Sequence, residues 1–144
     1  MRTMLYTAAA ASFSVCLLFA PLAHAEVVAF KADLKAADET PPNDSKGTGS
    51  ATINYDTASK KLTWTITYAD LTGPATAAHF HGPAPVGKAA GVEVPIPNAD
   101  KSPIEGSATL TDAQAKDLED GQLYVNIHTA ANKAGELRGQ VVKK

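Results

Sequence analysis

The sequence predicts an antiparallel all-β domain, a Greek-key β-sandwich or barrel of about eight strands with one short helix. Three observations lead there. Apolar residues recur at every second position in a series of short runs, the period of a strand whose alternate side chains face opposite ways. Clusters of Gly, Pro, Asn and Asp separate those runs, and only one window carries helical signals. The alternation implies that each strand has a core face and a wet face.

Val28, Phe30, Ala32 and Leu34 alternate in the first strand, over 27–34. Residues 35–46, with Pro41, Pro42, Asn43 and Asp44, cannot continue a ladder and form a loop. Ala51, Ile53 and Tyr55 are in phase over 47–55, and Asp56 to Ser59 turns the chain into 61–68. There Leu62, Trp64, Ile66 and Tyr68 alternate with Lys61, Thr63, Thr65 and Thr67, so the two runs make a hairpin. Ala78 and Phe80 share one face of the run 75–81. The Gly- and Pro-rich stretch 82–91 is a long loop directly after it. Val92, Val94 and Ile96 alternate around Pro95 and Pro97, which suits an edge strand, and 104–110 is another strand. Thr111 with Gln114 has the form of a capping box, Asp112 suits the positive helix end and Gly121 can stop the turn. Leu123, Val125 and Ile127 then define the inner face of a strand whose outer face carries Tyr124, Asn126 and His128. After a loop over 129–135, Leu137 and Val141 are inner and Glu136, Arg138 and Gln140 outer.

Residues 1–25 stand apart from this pattern. Arg2, the apolar stretch from Ala8 to Ala20 and the small-x-small sequence Ala23-His24-Ala25 have the form of an export signal, so a mature chain from Glu26 in the periplasm or outside the cell is expected, with no membrane association after cleavage. Loss of Arg2 leaves 12 basic side chains against 15 acidic ones, and a net charge of −3 argues against nucleic acid as a partner. Loss of Cys16 leaves no cysteine, so an exported domain is built without disulfides. The 119 residues 26–144 suffice for one domain. Nothing in the sequence fixes the oligomeric state.

The chemistry concentrates in Ala78-His79-Phe80-His81-Gly82. Strand alternation turns His79 and His81 to one side and Phe80 to the other. With Phe80 and Ile127 inward, His79, His81 and His128 all face outward, and a hairpin across 129–135 brings Arg138 and Glu136 to that face as well. The expected neighbourhood is three imidazoles as metal ligands, with Arg138, Glu136 and Tyr124 as candidate catalytic residues. A single outward histidine is usually an ordinary surface residue, and three in phase make a metal site the stronger reading. Arg138 and Glu136 could equally be a cross-strand ion pair on a solvated face.

Ala78-His79-Phe80-His81-Gly82-Pro83-Ala84, Tyr124-Val125-Asn126-Ile127-His128-Thr129 and Gly135-Glu136-Leu137-Arg138-Gly139-Gln140-Val141 together resemble the CHRD (chordin) domain. Phe30-x-Ala32-x-Leu34, the Glu39-Thr40-Pro41-Pro42 loop and Gly47-x-Gly49-x-Ala51 match it too, over nearly all of 26–144. The histidine pattern is also similar to copper-zinc superoxide dismutase. By that resemblance the fold is superoxide-dismutase-like, and His79, His81 and His128 stand at three copper-ligand positions. The bridging histidine, the zinc set and the cysteines of that family are missing, which implies one copper per chain in a copper-only site, ahead of zinc. The implied activity is dismutation of superoxide, a small anion drawn by Arg138, with protons from water, Tyr124 or Glu136. Non-catalytic copper storage or delivery, or a protein-binding module, is the alternative, and a hydrolytic zinc enzyme ranks behind both.

Overall fold

The computed structural model describes residues 25–144. The export signal expected over 1–25 lies, apart from its last residue, outside the described residues. Strands β1 (Val27–Lys35), β2 (Thr48–Asp56) and β3 (Lys61–Ala69) run as a meander, followed by β4 (Ala75–His81), β5 (Val92–Ile96) and β6 (Ile104–Thr109). Helix α1 (Asp112–Glu119) precedes β7 (Tyr124–Thr129), β8 (Leu137–Gln140) and the short β9 (Val142–Lys143). The strands form one antiparallel sheet in the order β5-β4-β7-β8-β1-β2-β3-β6, with β9 added beside β1. It curls into a nearly closed barrel whose seam lies between β5 and β6. Because β3 passes the chain to β4 while β6 returns beside β3 and β7 beside β4, the links cross over as a Greek key does.

Local chemistry explains the elements. In the β2–β3 turn the Asp56 carboxylate accepts the backbone N–H groups of Ala58 (3.0 Å) and Ser59 (2.8 Å), which replaces ladder bonds and reverses the chain. At α1 the Thr111 hydroxyl accepts the Gln114 N–H (3.2 Å) and the Gln114 side chain accepts the Thr111 N–H (3.0 Å), completing the capping box. Strand β5 is an edge, as Pro95 within it and Pro97 just after it suggest, and Gln114 donates to the Glu93 carbonyl at 2.8 Å.

The inward phase of every long strand meets in one core. Phe30, Ile53, Leu62, Ile66, Phe80, Val125, Ile127, Leu137 and Val141 are at most 1% exposed, and Trp64 packs edge-on against Phe80 with ring centroids 5.3 Å apart. The expected wet outer face holds for β2 and fails for β7 and β8. Tyr124, Asn126 and Arg138 are buried although they occupy the outer phase. The reason is coverage. Loop 82–91 folds back over the sheet, with Ala84 N–H donating to the Gln122 carbonyl (2.9 Å) and Gln140 to the Ala84 carbonyl (2.9 Å), and the segment after β1 lies on the other flank. Gly139 allows β8 to lie tightly against β1, since a Cβ there would stand 2.4 Å from the Asp33 carbonyl oxygen.

Candidate metal centre

Burial of Ala78 and Phe80 sets the rotation of β4, and burial of Val125 and Ile127 sets that of β7. The two strands pair with His79 opposite Asn126 and His81 opposite Tyr124, so His128 stands diagonally from His79 on the same outer face. The three imidazoles converge. Ring centroids lie 5.3 Å apart for His79 and His81, 5.1 Å for His79 and His128, and 5.9 Å for His81 and His128. One nitrogen from each falls within 4.8 Å of the others, and all three rings are partly exposed.

Backbone carbonyls orient two of these rings. His81 Nδ1 lies 3.1 Å from the Ala90 carbonyl oxygen, and His128 Nδ1 lies 2.9 Å from that of Lys133. A carbonyl only accepts, so both Nδ1 atoms carry the proton and both Nε2 atoms are left as acceptors. That of His81 is buried without any hydrogen-bond partner. His79 Nδ1–H donates to His128 Nε2 at 3.1 Å. Two nitrogens bound to one ion at about 2.0–2.1 Å each stand roughly 2.8–3.4 Å apart for angles between right and tetrahedral. The hydrogen bond thus already holds this pair at the spacing of two neighbouring ligands, and His79 Nδ1 would give up its proton to an arriving ion. Burial, and then the other imidazoles, lower the proton affinity of His79; burial also lowers that of His81, against the pull of the Ala90 carbonyl. Both are held toward the neutral form that a metal ligand requires. An all-imidazole donor set suits copper or zinc and not a hard, oxygen-seeking cation.

The remaining expected residues are distributed differently. Tyr124 belongs to the centre: its ring stacks on His81 (5.1 Å, 8°), while its hydroxyl accepts the Ala90 N–H (3.1 Å) and lies 3.3 Å from the Ala90 carbonyl oxygen. Arg138 approaches Tyr124 from β8, opposite the side from which β4 brings His81, with Cζ 3.6 Å from the ring centroid. It is 2% exposed and donates to Thr40 Oγ1 and the Pro85 carbonyl, both at 3.3 Å. It is not a solvated side chain at the mouth of the site. Glu136 corrects the expectation that it shares the histidine face or pairs with Arg138. Its carboxylate accepts from the hydroxyls of Ser45 (2.6 Å), Thr72 (2.6 Å) and Thr129 (2.5 Å), the Thr72 N–H (2.8 Å) and the Asn132 amide (3.1 Å). Burial raises its proton affinity, but these donors outweigh it and hold the carboxyl down at about 2. The physical reason for the displacement is that Glu136 precedes β8 and reaches toward Thr72 and the core-phase Thr129.

Two further residues of this face were not among the expected site residues, although Asn126 was expected on it. Asn126 donates to Glu39 Oε1 at 2.6 Å, and its own Oδ1 is buried without a partner. Glu39 comes from the segment after β1 and is 6% exposed. Burial pushes its carboxyl up to about 7, against the opposing influence of the Thr40 N–H, Arg138 and Asn126. Gly135 makes room for this pair: its φ is +141°, and a Cβ there would stand 2.4 Å from Glu39 Oε1 and 2.3 Å from Asn126 Nδ2. The only sequence signal for Glu39 was its place in the proline-containing loop already noted. The carbonyls of Ala90 and Lys133 have no side-chain signature at all.

The family model for the CHRD domain matches residues 30–141, from the first core phenylalanine to the last core valine. The chain belongs to the CHRD domain family. No curated protein and no solved structure matches it. The matched span contains all three histidines together with Glu39, Tyr124, Asn126, Glu136 and Arg138, so in this CHRD domain the imidazole cluster and the residues around it lie within the family's own extent.

Proposed function

We propose that this CHRD domain is an exported copper-binding protein that holds one copper ion through His79 Nδ1, His81 Nε2 and His128 Nε2, and that superoxide dismutation is its candidate activity. One observation carries the reading. Two imidazole lone pairs are oriented by backbone carbonyls, that of His81 buried and partnerless, and the third nitrogen, His79 Nδ1, stands 3.1 Å from His128 Nε2. Copper bound there would supply one-electron chemistry, oxidising one superoxide to dioxygen and reducing the next to peroxide. The chain's own contribution is to aim the ligands: Phe80 fixes the rotation of β4, Ala90 orients His81, and Lys133 orients His128. With Glu136 ionised elsewhere and the Tyr124 hydroxyl engaged by Ala90, protons for peroxide would come from water.

Copper storage or delivery without turnover is favoured by a different observation, the burial of Arg138, whose guanidinium is held by Thr40 and Pro85 behind the Tyr124 ring and is not presented to an incoming anion. Titration of the mature protein with Cu(II) and Zn(II), followed by electron paramagnetic resonance and a superoxide assay, separates the two. The expected result is one copper per chain, with binding and superoxide removal both lost in His81→Ala. Copper without turnover favours storage, and no tight metal binding sinks both readings.

A further inference from the structure

Behind the three histidines lie a buried guanidinium and a buried carboxyl that the proposed site does not use for ligation. Arg138 is almost fully buried and separated from His81 by the thickness of the Tyr124 ring, which it and His81 flank from neighbouring strands. Its charge has no close counter-ion: the ion pairs among the described residues are Lys31–Asp33, Lys60–Asp112 and Lys116–Asp120, all on the surface. The acidic group within its electrostatic reach is Glu39, which feels the Arg138 charge from β8, the neutral amide of Asn126 from β7 and the N–H of Thr40 within its own segment. The histidine cluster itself contains no carboxylate.

We infer that Arg138 and Glu39 are specificity-determining residues of this centre, setting a positive field behind His81 that favours the monovalent cuprous ion over divalent zinc, with Glu39 as the group that can cancel that field. This deepens the copper reading and rests on it. A cation repels a divalent ion twice as strongly as a monovalent one. Over a separation on the order of 10 Å at an effective dielectric near 20, one unit charge changes the relative affinity by roughly ten- to twenty-fold. Such an effect survives burial because the pair is shielded from screening by salt. When Glu39 carries a proton the Arg138 charge acts alone; when Glu39 ionises, the two largely offset each other. The carboxyl's position near 7 places that change within an accessible range. Three neutral imidazoles would otherwise leave the choice between copper and zinc to availability and geometry.

The test is the ratio of Cu(I) to Zn(II) affinity, each measured by competition with a chromophoric chelator on the mature protein, under reductant for Cu(I). The same three ligands bind both ions, so ligand protonation cancels in the ratio. For the native chain the ratio should fall roughly tenfold between pH 5.5 and pH 8.5, whereas Glu39→Gln should keep its acid-side value throughout. Arg138→Gln should lower the ratio at acid pH, while Arg138→Lys, which keeps the charge, should retain most of it. The Glu39→Gln comparison carries the test by itself if Arg138→Gln fails to fold. Parallel pH profiles for the native chain and Glu39→Gln overturn this inference and leave the metal site standing. Binding of neither ion to the native chain overturns the metal reading itself.

Discussion

Glu136 and Glu39 lie on either side of the β7–β8 pair, and their surroundings drive their protons in opposite directions. Glu136 is depressed from 4.5 to about 2 by its hydroxyl and amide donors, so it contributes stability that is present above pH 4.5 and lost as pH falls toward 2. Glu39 is raised from 4.5 to about 7, so the protonated acid favours folding, and its contribution is complete below pH 4.5 and lost as pH rises toward 7. Each shift corresponds to on the order of 3 kcal/mol. Urea unfolding across pH should show an acid limb that disappears in Glu136→Gln and a decline between pH 4.5 and 7 that disappears in Glu39→Gln. An unchanged acid limb in Glu136→Gln would show that its donors do not hold the ionised form. Neither environment could be read from residue order. Both depend on partners distant in the chain, Ser45 and Thr72 for Glu136 and Asn126 for Glu39, and register alone does not reveal which loop covers which strand.

At the scale of elements, the strands were legible because each obeys one simple constraint, the burial of alternate residues. The His79-Phe80-His81 stretch is the clearest case, since a single core aromatic turns both imidazoles outward. Phe80→Ala should cost about 3–5 kcal/mol and also weaken metal binding, because the same side chain fills the core and sets the aim of β4. Retained copper affinity in a destabilised Phe80→Ala protein would separate those two roles. The outer faces of β7 and β8 were not legible for the converse reason. Polar residues in the outer phase look alike whether water or a loop covers them, and here loop 82–91 and the segment after β1 supply the cover. Tyr124 and Arg138 were thus correctly placed together on the sheet, yet they face protein where solvent was expected.

For the whole molecule, the absence of cysteine after Cys16 leaves stability to one apolar core and one continuous sheet. That sheet is not fully closed: β5 is paired on one side by β4, and its other side faces the seam. The three histidines bridge β4 and β7, one strand inward from that free edge. The molecule therefore has a boundary between a part that an ion would cross-link and a part that it would not. Amide hydrogen exchange should reveal it. Loading with Cu(I) or Zn(II) should slow exchange across β4 and β7 while leaving β5 nearly as fast as before, because β5 can detach without breaking any imidazole–metal bond. Uniform slowing that includes β5 would mean the edge opens only together with its neighbours. The open seam would then act as a hinge for one cooperative unit, and the ion would be released only when that whole unit opens.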